Sequence, residues 1–135
     1  MKLTPYLMFQ GNAEEAMHYY AHALGGEIEM IQRYIDGKGM TIPEHYANKV
    51  LHGRLKAGTL AFYFSDTFPG QQVTRGDQVS LTIEFDSEER TDQVYEILKV
   101  GAEVRMPLQQ TFWGAKYAKL IDRYGIQWDL NYHYS

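Results

Sequence analysis

An internal repeat constrains this chain more than any other feature. Displacing the first half by 76 residues lays Phe9 on Phe85, Gly25 on Gly101 and Glu27 on Glu103. Displacing it by 67 lays the Gly58 turn on the Gly125 turn and Phe62 on Asp129. Each copy runs through the same patterns: strand, helix, then three strands. A single unit of that kind leaves one apolar sheet face uncovered, so two copies are expected to pair and bury it. The 135 residues make one ordinary domain, with repeat units at about 1–66 and 77–135.

Local patterns support the division. Leu3 to Phe9 is short and apolar, as a strand requires. Asn12 is placed to cap a helix, with Glu15 reaching back to complete a capping box. Ala13, Ala16, Met17, Tyr20 and Leu24 follow the spacing of one buried helical face, and Gly25-Gly26 ends it. A strand is expected over Glu27 to Tyr34, a long polar loop over Asp36 to Asn48, and two strands over Val50 to Ala57 and Leu60 to Ser65. In the second half, Gln78 to Phe85 alternates cleanly between apolar and polar residues. Asp86, with Glu89 three residues on, is the expected cap of a helix that presents Thr91, Val94, Tyr95 and Leu98. Gly101 ends that helix and Glu103 to Met106 begins the next strand.

Met106 to Lys116 carries Phe112, Trp113 and Gly114 and reads as an aromatic-rich loop entering a strand. Asp122-Arg123-Tyr124-Gly125 then reads as a tight turn into the last strand, which contains Trp128. An aromatic core corner and an aromatic ligand wall would both use such residues.

The residues also exclude several classes. Without cysteine there are no disulfides and no thiolate metal sites, which agrees with a reducing compartment. A net charge of −4 with interspersed signs argues against a nucleic-acid groove or a membrane-bound face. No apolar run is long enough to span a bilayer, and Met1 to Pro5 passes straight into strand-like sequence, so no signal peptide is read and a cytoplasmic location is expected. There is no Gly-rich phosphate loop, no Ser-His-Asp spacing, no nucleophile elbow and no methyl-donor binding motif.

Thr4-Pro5-Tyr6-Leu7, Gly11-Asn12-Ala13-Glu14-Glu15-Ala16, Tyr19-Tyr20, Gly25-Gly26, Thr111-Phe112-Trp113-Gly114 and Tyr124-Gly125-Ile126-Gln127-Trp128 resemble the PhnB-like branch of the vicinal oxygen chelate superfamily. That superfamily includes glyoxalase I and the fosfomycin- and bleomycin-resistance proteins. The similarity runs from about residue 3 to 132. It implies an α+β fold: tandem βαβββ units forming a U-shaped sheet or half-barrel around a cavity, helices outside, commonly as a homodimer.

The resemblance also implies which side chains face the cavity. Strand alternation sends Ser80, Thr82 and Glu84 one way, with Gln127, Asp129 and Asn131 from the last strand. The repeat carries this to Thr4, Tyr6 and Met8 and to Leu60, Phe62 and Phe64, and His52 and Arg54 join them. A polar face on the convex side would produce the same alternation. Relatives place one metal ligand on each of four strands, at positions matching Thr4, Phe62, Ser80 and Asp129 here. Of these Asp129 is the competent divalent ligand, and Phe62 cannot ligate, so neither a metal nor another cofactor is expected. His18 and His22 share one helical face without a third ligand, and His45 and His133 read as surface residues. His52 has two readings: a hydrogen-bonded structural histidine, or a general base acting beside Asp129 and Arg54.

Two function classes follow. One is a metal-free small-molecule binder with Tyr6, Phe62, Phe64, Phe112 and Trp113 as its aromatic wall, and His52, Arg54 and Asp129 orienting the ligand. The other is an enzyme of the superfamily, a lyase, isomerase or resistance-type transferase acting on a small oxygen-rich metabolite, with His52 or Asp129 catalytic.

Overall fold

The computed structural model describes residues 1–135 as two compact units, Met1–Thr74 and Arg75–Ser135. The first contains β1 (Tyr6–Phe9), α1 (Ala13–Leu24), β2 (Glu27–Arg33), β3 (Val50–Ala57) and β4 (Leu60–Asp66). The second contains β5 (Leu81–Phe85), α2 (Glu88–Leu98), β6 (Glu103–Gln110), β7 (Ala115–Ile121) and β8 (Gln127–His133). Each unit is one open, four-stranded mixed sheet with a helix, in the order β1-β4-β3-β2 or β5-β8-β7-β6. The first strand runs parallel to the last and the other pairings are antiparallel. The α+β repeat of βαβββ units is therefore the fold. Neither helix is long and apolar enough to cross a membrane.

In the first unit, α1 buries Ala13, Ala16, Met17, Tyr20 and Ala23. Phe64 of β4 stacks on Phe9 of β1 and meets Tyr20, with ring centroids 6.0 Å apart in each case. Gly25 closes the helix at φ 65°, the left-handed conformation a glycine adopts freely. Its neighbour Gly26 has a different reason: a Cβ there would lie 2.6 Å from Lys56 O and 2.8 Å from Ala57 Cβ. The chain leaves α1 pressed against β3, where only glycine fits.

Both helix caps differ from the sequence expectation. Asn12 makes no side-chain cap bond. The carboxylate of buried Asp66, at the end of β4, accepts instead from Gly11 N at 2.8 Å and Ala13 N at 2.9 Å, and from Val50 N at 2.8 Å. A charged acceptor from a distant strand outcompetes the local amide at the positive end of the helix. In α2, Ser87 rather than Asp86 is the cap, accepting from Arg90 N at 3.1 Å.

The aromatic-rich stretch of the second unit is more regular than its sequence suggested. β6 continues through register shifts to Gln110 and a tight turn delivers the chain to β7. Asp122 organises the next turn. Its Oδ1 accepts from Tyr124 N and Ile126 N, and its Oδ2 takes the indole N–H of buried Trp128 at 2.8 Å. One buried carboxylate thus shapes the turn and satisfies the largest core side chain.

The strand register corrects the repeat. Tyr6 pairs with Tyr63 and Arg54 with Tyr63, whereas Thr82 pairs with Asp129 and Lys119 with Asp129. Asp129 therefore corresponds to Tyr63, not Phe62. Between equivalent pairs, Ile121 with Gln127 and Lys56 with Ala61, the second unit has one residue more, and its glycine sits one residue nearer the last strand. Matching the glycines slips the strand by one residue, which turns every side chain to the other face.

Candidate functional site

Phe62 and Phe64 are 4% and 0% exposed in the core beneath α1, so they leave the expected ligand wall. The opposite face of the first sheet carries Tyr6 from β1, His52 and Arg54 from β3, and Tyr63 and Ser65 from β4. Their rings form a cluster: Tyr6 lies 5.6 Å from His52 and 5.7 Å from Tyr63, and His52 lies 5.0 Å from Tyr63. The Arg54 guanidinium sits 5.6 Å from the Tyr63 ring centroid, at cation–π range.

The hydrogen bonds in this cluster have one consistent direction. Ser65 Oγ donates to Leu51 O at 2.6 Å, so it accepts from Tyr6 OH, 2.7 Å away. Tyr6 then accepts from His52 Nδ1–H at 3.0 Å, and His52 Nε2 accepts from Arg54 Nε–H at 3.3 Å. That order assigns His52 the neutral Nδ1–H tautomer. Burial, and then the neighbouring Arg54 charge, hold the imidazole below its ordinary pKa, which keeps it neutral at physiological pH.

The second unit places a different chemistry on its sheet. Asp129 is 8% exposed in β8 and is surrounded by donors. Its Oδ1 accepts from Tyr117 OH at 2.6 Å and Lys119 Nζ at 3.0 Å. Its Oδ2 accepts from Ser80 Oγ, with Thr82 Oγ1 3.5 Å away. Burial alone would raise the carboxyl, but the bonds from Ser80, Tyr117 and Lys119 hold it below the usual carboxylate range. Tyr117, desolvated and facing that carboxylate, is pushed up to about 12. Asp129 is an ionised anchor with both oxygens engaged by donors, a poor proton acceptor.

Trp113 and Phe112 occupy the β6–β7 turn, their rings 4.9 Å apart, and Trp113 lies 6.3 Å from Tyr117. Phe112 is 97% exposed, so it forms no wall in this chain. Farther along the sheet, Asn131 Nδ2 donates to Glu84 at 2.8 Å and lies 2.9 Å from His133 Nε2.

The superfamily's divalent metal does not fit this residue set. The positions matched to its ligands are Thr4, Ser80 and Asp129, with Tyr63 taking the place expected of Phe62. The one carboxylate among them already holds an ammonium at 3.0 Å, which a divalent cation would have to displace. No three His, Asp or Glu side chains cluster at ligating distance.

Within each unit, then, the structure joins Tyr6, His52 and Arg54, and links Trp113 to Asp129 through Tyr117. His52 and Asp129 belong to different units and have separate partner sets. Sequence reasoning missed Tyr63 and Ser65, lost in the one-residue slip, and Tyr117 and Lys119. The alternation of Tyr117 and Lys119 against Ala118 and Leu120 was the available signal for the last two.

Comparison with known proteins agrees with this architecture. Residues 1–131 match the family described as 3-demethylubiquinone-9 3-methyltransferase. The chain is 32% identical to protein PA1353 of Pseudomonas aeruginosa, with a TM-score of 0.87 and 98% of each chain covered. It is 29% identical to a putative 3-demethylubiquinone-9 3-methyltransferase, PhnB protein, of Bacillus cereus, with a TM-score of 0.81, covering 98% of this chain and 99% of that one. The fosfomycin resistance protein FosX of Listeria monocytogenes shares the fold at 13% identity and a TM-score of 0.65, over 99% of this chain and 93% of its own. Tandem βαβββ units, the shared fold and the match along nearly the whole sequence place the chain in the 3-demethylubiquinone-9 3-methyltransferase family, the PhnB-like branch of the vicinal oxygen chelate superfamily.

Proposed function

We propose that the chain is a small-molecule binding protein that works without a divalent metal at Asp129. The observation that carries this reading is the state of Asp129. Both of its oxygens are already engaged by donors, Ser80, Tyr117 and Lys119, one of them a cation, which makes it a poor ligand for a metal and a poor acceptor for a substrate proton. What the sheets offer instead is aromatic surface with fixed polar groups: Tyr6, His52, Arg54 and Tyr63 in one unit, Trp113 and Tyr117 in the other. Binding sites are commonly built this way. The test is a metabolite library scored by thermal shift, followed by titration of the hits. A hit should change Trp113 fluorescence or weaken at least tenfold in Tyr6→Ala. Hits unaffected in Tyr6→Ala, Arg54→Ala and Trp113→Ala, all folded, would remove the reading.

An enzyme of the superfamily, whether lyase, isomerase or resistance-type transferase, is the second reading. One observation favours it: His52 is neutral, the state a general base needs. Base action requires Arg54 first to leave His52 Nε2. A turnover that falls a hundredfold or more in His52→Gln would establish this reading over simple binding.

Two further parts of the proposal concern setting. The cysteine-free sequence supports a cytoplasmic location. A homodimer, the commonest closed assembly, is supported by edge strand β6, where Val104 and Met106 are each 37% exposed. Sedimentation at micromolar concentration should give twice the chain mass of 15.7 kDa; a monomer would refute the assembly.

A further inference from the structure

Arg54 differs from the arginines that meet a carboxylate, Arg33 and Arg105. Arg33 places NH1 and NH2 on the Glu14 carboxylate at 2.8 and 3.1 Å. Arg54 has no such partner: its Nε–H goes to His52 Nε2 and its plane lies by the Tyr63 ring. Both terminal NH2 groups are left without an acceptor on an exposed side chain. The arginine is also aimed. Because Leu51 O takes the Ser65 proton, the chain of donors through Tyr6 leaves His52 Nε2 as the acceptor that fixes Arg54 through Nε. The free end is the planar fork that matches two oxygens of one anion. Beside the guanidinium stand the rings of His52 and Tyr63, and the Tyr6 ring adjoins both, surfaces for the rest of a flat molecule.

We propose that Tyr6, His52, Arg54 and Tyr63 form a receptor for a small oxyanion, carboxylate or phosphoryl, carried on a planar or aromatic molecule. This rests on the binding reading above and adds the ligand's charge and shape. Arg54 binds the oxyanion end-on through its two NH2 groups. His52 is a positioning residue, acting on the ligand through Arg54, and Ser65 sets the tautomer that lets it do so.

The site also carries a spectroscopic signature. The groups facing His52 are Tyr6 from β1, Tyr63 and Ser65 from β4, Arg54 on its own strand, and Gln32 paired opposite on β2. Arg54 is the charged one among them. An anion on Arg54 offsets that charge, so the His52 pKa rises when the ligand binds.

The experiment is titration of the full chain with benzoate, phenyl phosphate and neutral benzyl alcohol, followed by calorimetry and by NMR of the His52 ring. At least one anion should saturate, weaken with added salt and raise the His52 pKa, while the alcohol should not bind. Which anion binds identifies the oxyanion class. Arg54→Ala should lower affinity tenfold or more and Arg54→Lys should recover only part of it. Arg90→Ala, which removes an equal charge from α2, should change affinity less than twofold. Ser65→Ala should weaken binding and alter the His52 tautomer seen by nitrogen NMR. Binding of neither anion, equal binding to Arg54→Ala, or equal affinity for the alcohol would overturn the proposal. A neutral library hit that weakens in Tyr6→Ala but not in Arg54→Ala would overturn it too, while leaving the binding reading intact.

Discussion

Single carboxylates do much of the structural work in this chain, and each does it by accepting several donors at once. Asp66 satisfies the backbone N–H groups of Gly11, Ala13 and Val50 while the side chain of Asn12, the residue in cap position, contributes no cap bond. Asp66→Ala is expected to cost at least about 2 kcal/mol in urea denaturation, because buried donors lose their partner. Asn12→Ala should be nearly neutral, well below the ~1 kcal/mol typical of a cap residue. Asp129 gives a pH-dependent counterpart. Its folded pKa is depressed, so its contribution to stability is present above the ordinary carboxylate pKa of ~3.9 and is lost as pH falls through the lower folded value. The stability advantage of the native chain over Asp129→Asn, clear at neutral pH, should vanish in strong acid. The same substitution should bring the Tyr117 titration, followed by ultraviolet absorbance, down from about 12 toward the ordinary tyrosine value of ~10.

At the scale of elements, the decisive distinction is which face of a strand each side chain takes. Phe64→Ala should cost about 3–5 kcal/mol as a core truncation. Loss of Tyr6, on the other face, should affect ligand affinity far more than folding. Gly26→Ala should destabilise by about 1–3 kcal/mol, since its Cβ meets the backbone of β3. Helices, the succession of elements along the chain and the Asp122–Gly125 turn were legible in the sequence because hydrophobic period and turn residues are local signals. The face of β4 was not. Gly58 and Gly125 looked equivalent, but turn length decides register, and a residue gained in a turn leaves no mark on the strand that follows it. The cap of α1 was hidden for a related reason: Asp66 lies far along the chain from the helix it caps. Tyr6, His52 and Arg54 were readable as one polar face; their shared hydrogen-bond direction depends on Ser65 and Leu51, which periodicity does not connect to them.

At the scale of the whole molecule, one topology occurs twice with different side chains at matched positions. His52, Arg54 and Tyr63 stand where Tyr117, Lys119 and Asp129 stand in the second unit. The second unit neutralises its own cation with Asp129, whereas the first has a tyrosine at that position and leaves Arg54 without a counter-ion. That asymmetry is the ground for proposing ligand binding in this duplicated fold in place of the superfamily's metal chemistry. The most direct test is NMR mapping of a library ligand on the full chain at neutral pH, with and without added zinc or nickel. The predicted result is saturable perturbation at Tyr6, His52, Arg54 and Tyr63, or at Trp113 and Tyr117, unchanged by the metal. Perturbations confined to other residues, or binding that appears only with the metal and disappears in Asp129→Ala, would contradict it.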